Sequence, residues 1–273
     1  MSKGNLRRFL NDSSCKLALS TGDISYLNKE FTINGSPSVE NSPFGKSIYL
    51  TDDNDDRIQI NPELNYSEPF TIVTWINPTD LENNFNTLSH AGADGNRTFN
   101  FRVISSSGSG SDEANKLQLW VSEDGSAVNR VHSNSEVPVG EWSMVVGVFD
   151  GDKTYVYLND VKSTDEYELS GSSLYQSTAQ PYIMGYDGGS PISVGEGQID
   201  QVLIFDRALS EQEVSDLYHA STFNYMDNLV GYWKLDDENT VKDLSGNNNS
   251  GEVNGNPTLD NNFKGGKCLD FDG

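Results

Sequence analysis

Trp142-Ser-Met-Val-Val-Gly-Val-Phe149, then Asp150-Gly151-Asp152, then Lys153-Thr-Tyr-Val-Tyr-Leu-Asn159: two runs rich in β-branched and aromatic residues flank a short turn with glycine at its centre. Such runs suit the pleated, half-buried surface of a sheet, and glycine supplies the backbone freedom that a tight antiparallel connection demands. The stretch predicts a core β-hairpin with Trp142 buried. Outward from it, Ser47 to Thr51, Phe70 to Ile76, Arg97 to Ile104, Lys116 to Val121 and Gln198 to Phe205 are further short, mostly alternating apolar bursts. Turn clusters separate them, among them Ala93-Asp-Gly-Asn96, the Ser/Gly run 105–111 and Asp187-Gly-Gly189. Alternation at period two buries one face of a strand and wets the other, so the chain reads as an all-β, two-sheet antiparallel sandwich.

The chain has 273 residues, 35 % of them apolar and 10 % aromatic, enough for a real core. Lys and Arg number 18 against 41 Asp and Glu, a formal charge of −23. A field of that sign repels phosphate backbones and anionic lipid heads, which argues against nucleic acid and membrane-surface partners and makes cations the natural small ones. Cys15 and Cys268 lie near opposite ends and cannot form a dense disulfide framework. No run of about 18 apolar residues occurs, and the basic opening is not followed by the apolar stretch of a signal peptide.

One segment follows a helical period. Ser210-Glu-Gln-Glu213 is a capping box, in which the serine oxygen accepts the amide of Glu213 while the glutamate reaches back, and Val214, Leu217 and Tyr218 then share a face. An internal repeat sets the domain organisation. Asn34-Gly-Ser-Pro-Ser-Val-Glu-Asn41 matches Asn254-Gly-Asn-Pro-Thr-Leu-Asp-Asn261, and Gly45-Lys-Ser-Ile-Tyr-Leu50 matches Gly266-Lys-Cys-Leu-Asp-Phe271 after a one-residue insertion. A repeat at that offset has the length of a domain, so residues 1–226 are read as one jelly roll and 227–273 as a partial second repeat.

Three pieces in order carry a family resemblance: Phe70-Thr-Ile-Val-Thr-Trp-Ile76, the hairpin from Trp142 to Asp160, and Gly197-Gln-Ile-Asp-Gln-Val-Leu-Ile-Phe205 running on to Val214. Together they resemble the laminin G-like and pentraxin-like branch of the concanavalin A-like jelly roll, and Val230-Gly-Tyr-Trp-Lys-Leu235 resembles the opening of a further such domain. The resemblance implies two curved antiparallel sheets whose rim loops often hold calcium and bind glycans or proteins.

Calcium takes six to eight oxygens, so acidic and Asn-rich rim loops are the places to look. The set that best matches the pentraxin-like loops is Asp94, Asn96 and Asp187; Asp52-Asp-Asn-Asp-Asp56 is a second acidic loop. Asp200, amid alternating apolar residues, is expected to have a structural hydrogen-bond partner. Sugars stack on aromatic faces, which makes Tyr175, Tyr182, Tyr186 and Trp120 exposed candidates; Tyr186 beside Asp187 is the preferred ligand-binding pair. His90, His132 and His219 are scattered and form no zinc pattern. Gly45-Lys46-Ser47 lacks the first glycine of a phosphate loop, and no nucleophile elbow occurs.

Glycan cleavage in the wider superfamily needs carboxylates on alternate positions of a strand, whereas Gly197-Gln-Ile-Asp200 offers one. The sequence therefore points to a non-enzymatic recognition or structural module, glycan-binding or adhesive, contacting a glycan, a surface protein or neighbouring subunits. A polysaccharide-cleaving enzyme and a purely architectural subunit are the alternatives. A virion surface, such as a phage tail or capsid, is the expected location, with an extracellular or cell-surface site as the alternative.

Overall fold

A computed structural model describes residues 15–19, 31–42, 45–51, 56–60, 65–107, 113–185, 195–219, 258–263 and 266–270. In chain order the first strands are β1 (Cys15–Leu19), β2 (Phe31–Asn34), β3 (Ser38–Ser42), β4 (Gly45–Leu50), β5 (Arg57–Ile60) and β6 (Phe70–Pro78). There follow β7 (Phe85–Ala91), β8 (Arg97–Val103), β9 (Lys116–Val121), β10 (Asn129–Glu136), β11 (Ser143–Phe149) and β12 (Lys153–Leu158). The rest are β13 (Val161–Lys162), β14 (Tyr167–Glu168), β15 (Tyr182–Ile183), β16 (Gly197–Phe205), the helix α1 (Glu211–His219), β17 (Thr258–Phe263) and β18 (Gly266–Asp270).

The hairpin expected at 142–159 is β11 and β12, paired antiparallel from Val145↔Leu158 to Phe149↔Thr154. Its turn is fixed by Asp150, whose Oδ1 accepts the amides of Asp152 (2.9 Å) and Lys153 (2.6 Å). The other side of β11 pairs with β6 along its whole length, and the larger sheet runs β13-β12-β11-β6-β16-β4-β3, with β1 also on β16 and β14 on β12. The smaller sheet runs β10-β9-β8-β7-β15-β5-β2, and every pairing in both sheets is antiparallel. A bulge in β16 between Asp200 and Leu203, with Gln201 at φ 52°, divides one edge of that strand: β4 pairs before it and β1 after it.

Alternate residues of both sheets meet in one core that includes Ile72, Ile76, Phe149 and Ile204 from the larger sheet and Ile58, Phe99, Phe101 and Leu119 from the smaller. At Gly147 the layers approach closely, since a Cβ there would lie 3.3 Å from the Phe101 ring. On its opposite face the larger sheet carries a second cluster, Val73, Trp75, Met144, Val146, Tyr155 and Tyr157, closed by Val214 and Leu217 of α1. The capping box is made as read: the Glu213 amide donates to Ser210 Oγ at 3.3 Å and the Ser210 amide donates to the Glu213 carboxylate. Arg207 pairs with the same carboxylate at 2.8 Å, and Tyr218 stacks on Trp75 at 5.8 Å between centroids. Trp142 corrects the expectation: it is only half-buried, because it precedes β11 and packs against the rim of the second cluster instead of entering the core.

The two hairpins that contain the sequence repeat share a register. Ser38↔Tyr49, Val39↔Ile48 and Glu40↔Ser47 of β3 and β4 correspond to Thr258↔Asp270, Leu259↔Leu269 and Asp260↔Cys268 of β17 and β18. In the first copy β4 goes on to pair with β16; among the described residues β18 pairs with β17 alone. Val230 to Leu235 lie outside the described residues.

Candidate functional site

The rim loop between β7 and β8 holds Asp94 and Asn96. Asn96 Oδ1 accepts the Thr178 amide and the Ser177 hydroxyl, both at 2.9 Å, and its main-chain oxygen accepts the Gly92 amide at 2.8 Å. Asp94, with its side chain 77 % exposed, pairs with Arg97 at 3.0 Å. Asn96 thus works as a clamp between two rim loops. As arranged, this pair does not fit a calcium cradle, because the amide oxygen points at residues 177–178 and the carboxylate faces a guanidinium. The third expected ligand, Asp187, lies outside the described residues, as does Tyr186. Among the described residues no group of three or more His, Cys, Asp or Glu is arranged to hold a metal. Of the acidic 52–56 loop only Asp56 is described; it is buried and structural, accepting the amides of Ser36 (2.5 Å) and Thr51 (3.1 Å).

Asp200 has the partner expected of it. It is 4 % exposed, and its carboxylate accepts Ser42 Oγ at 2.9 Å and the Gln201 amide at 2.8 Å. Burial pushes its pKa up to about 7, with those two bonds pulling the other way. It stitches the end of β3 to the bulge in β16.

The strongest polar arrangement lies elsewhere, on the outward face of the smaller sheet. Ile58, Ile183, Leu88, Phe99, Leu119 and Val131 point into the core, so the residues alternating with them face out. Strand pairing places Gln59↔Tyr182, Tyr182↔Ser89, Ser89↔Asn100, Asn100↔Trp120 and Trp120↔Arg130 in direct register, a single row across six strands. At about 4.8 Å per strand that row is roughly 24 Å long. A second row, Asn86↔Arg102↔Gln118↔His132, runs beside it.

These rows are stitched by side chains. Asn100 Nδ2 donates to Asn86 Oδ1 (3.0 Å), Arg102 Nε to Gln118 Oε1 (2.9 Å), and Gln118 Nε2 to His132 Nε2 (2.8 Å), while His132 Nδ1 donates to Asp165 (3.2 Å). Arg57 lies over the Tyr182 ring at 5.4 Å. The amides form a floor: Asn100 is 2 % exposed, and its Oδ1 is buried without a hydrogen-bond partner. Arg102, Gln59 and His132 are half-buried and Arg130 is exposed above that floor. Trp120 and Tyr182, expected to be exposed, are only 6 % and 9 % exposed, and Tyr175 is half-buried in a rim loop. Asn86, Asn100 and Gln118 escaped the sequence reading altogether. The signal was present as long amides, in place of Ser, Thr or Lys, at the outward positions of apolar strands.

His90, also in β7, lies on the core side. Its Nε2 donates to Ala179 O at 3.1 Å, its Nδ1 has no partner, and its ring lies 4.9 Å from that of Tyr66, whose buried hydroxyl has none either. Burial lowers the His90 pKa to about 4, partly offset by the carbonyls of Ala179 and Ser177.

Among solved structures, the binding domain of Paraclostridial Mosquitocidal Protein 1 superposes with a TM-score of 0.59 at 15 % identity, over 77 % of this chain and 52 % of that one. Domain 4 of AbnA, an extracellular arabinanase from Geobacillus stearothermophilus, solved with arabinotriose, gives 0.55 at 19 % identity, over 75 % and 99 %. The binding domain of Botulinum neurotoxin DC, in complex with SialylT, gives 0.57 at 14 %, over 80 % and 55 %. This chain therefore spans about half the length of the two toxin binding domains. No curated protein matches it in sequence. At these identities the superpositions speak for the sandwich, whereas a family profile matches residues 52–215, from the acidic loop before β5 to the middle of α1. On that match, which takes in β5 through β16, the chain belongs to the concanavalin A-like lectin/glucanases superfamily.

Proposed function

We propose that this chain is a non-catalytic recognition module that binds a glycan, or a surface protein, on the outward face of its smaller sheet. The observation that carries the reading is the polar outward face of the smaller sheet, where half-buried Gln59, Arg102 and His132 and exposed Arg130 stand over a buried floor of Asn100, Trp120 and Tyr182. Aromatic rings, amides and guanidinium groups are the side chains that meet the apolar faces and hydroxyls of sugars. Structural neighbours support a binding role: two are toxin binding domains, one with SialylT, and a third was solved with arabinotriose. Hydrolysis would need two carboxylates some 5 to 10 Å apart across the bound sugar. Strands β5, β7, β8, β9 and β15 contain no Asp or Glu at all.

The setting that suits such a module is a displayed surface, a virion or an exported assembly, where avidity from several copies lifts weak single-site binding. Calcium through Asp94, Asn96 and Asp187 is a separate proposal, and it requires the Asn96 clamp to open. A glycan array followed by calorimetry tests the main reading. Arg130→Ala and Gln59→Ala should each lower affinity for a bound glycan at least fivefold, without loss of melting temperature. Polysaccharide turnover without saturable binding would reject it in favour of an enzyme.

A further inference from the structure

The larger sheet has an outward face of its own beside the cluster that α1 closes. Ile48, Leu50, Ile76 and Ile199 point into the core, so Tyr49, Asn77 and Gln198, which alternate with them, face out. Strand pairing sets Tyr49↔Gln198 and Gln198↔Asn77 in direct register. Trp142 extends the row: Ser143 pairs with Ile76, the Gly140 amide donates to Pro78 O at 2.8 Å, and the indole between them packs against the outward cluster. At about 4.8 Å per strand the row is roughly 14 Å long. All four side chains are half-buried, so a ligand can reach each of them.

The amides of the row are fixed in place, Asn77 Nδ2 donating to Gln198 Oε1 and Gln198 Nε2 to Ser47 Oγ, both at 3.1 Å. Asn77 Oδ1 has no hydrogen-bond partner and calls for a donor. Two carboxylates stand beside the row. Glu196 accepts the Tyr49 hydroxyl, and its main-chain oxygen accepts the Thr79 amide at 2.9 Å, which brings the next residue, Asp80, to the same corner. Burial raises the Tyr49 pKa and both acids add to the rise, so both lie within electrostatic reach of that ring. Among the described residues no Lys, Arg or His pairs with either acid.

We infer that this row takes a sugar chain bearing ammonium groups, with Trp142 and Tyr49 meeting its ring faces, Asn77 and Gln198 its hydroxyls, and Glu196 and Asp80 its amines. The site lies on the opposite sheet from the recognition surface proposed above and stands independently of it. Aromatic rings accept the apolar faces of sugars, and an ammonium group donates to a carboxylate in a charge-assisted bond stronger than a neutral one. The charge of −23 works in the same direction, since the field of the whole molecule draws a cationic ligand in.

The test is calorimetry on the whole chain with a matched pair, the β-1,4-linked glucosamine trimer against its N-acetylated counterpart, at pH 6 and at 20 and 300 mM NaCl. The expected result is at least about tenfold tighter binding of the amine-bearing trimer at low salt, with the advantage shrinking several-fold at high salt. Glu196→Gln keeps an acceptor for Tyr49 and should cut that preference; Asp80→Asn serves if the first variant misfolds. Trp142→Ala should weaken the amine-bearing trimer at least fivefold. Equal affinity for the two trimers overturns the inference, as does binding of neither, and both results leave the reading of the smaller sheet untouched. Loss of binding in Arg130→Ala with Trp142→Ala unaffected would put the sugar on the smaller sheet and overturn it too. Equal binding of trilysine would show a general cation patch and likewise overturn it.

Discussion

Lowering the pH should unfold this protein through His90 in a way that one substitution can isolate. With Nε2 donating to Ala179 O, Nδ1 is a bare acceptor inside a wall made by Tyr66 and Phe99, and a second proton would leave a buried N–H with nothing to meet. The folded pKa falls to about 4 from an ordinary 6.5, with burial the chief cause. The unfolded chain therefore takes up the proton first: stability is fully present above pH 6.5 and is lost as the pH falls toward 4. Linkage converts the shift into about 3 kcal/mol in all, of which roughly 2 kcal/mol is lost between pH 7 and pH 5. His90→Gln keeps a donor for Ala179 and removes the titration. Urea unfolding of both proteins from pH 7.5 to 4.5 should show the natural chain losing about 2 kcal/mol more than the variant by pH 5. A constant offset between the strains changes nothing in this comparison, because only the difference in slope matters. Parallel curves would refute the reasoning, and a His90 imidazole titrating near 6.5 by NMR would do so directly.

Asp200→Asn should stabilise the protein increasingly as the pH rises from 4 to 7 and evenly above, because the folded carboxyl, raised to about 7, resists an ionisation that the unfolded one completes; identical pH profiles of the urea midpoint would contradict this. Gly125→Ala should destabilise by about 2 to 4 kcal/mol, since φ is +85° and its Cβ would lie 2.7 Å from Gly95 O, whereas Gly140→Ala, at φ +76° with open space around it, should cost only about 1 kcal/mol; equal melting points would deny the clash between the two rim loops. Millimolar calcium should leave the melting temperature of the natural chain unchanged relative to chelator if the Asn96 clamp stays shut, and a rise abolished by Asp187→Ala would establish the rim site.

The parts of the fold that depend on local pattern were readable from residues alone. The 142–159 hairpin carries its own turn chemistry, Ser210 and Glu213 cap each other within four residues, and Asp200 among apolar neighbours had to find a donor. The proposed recognition face depends on pairings between distant strands and was not readable. Tyr182 reaches its place because β15 slots between β7 and β5, next to Ser89 and Gln59, residues 93 and 123 positions away. Period two says that Tyr182 and Asn100 turn away from the core; it does not say that they fall in one row, nor that they are buried there. Trp142 failed for the opposite reason, since the strand begins one residue later and a Trp outside the pleat packs where the rim allows.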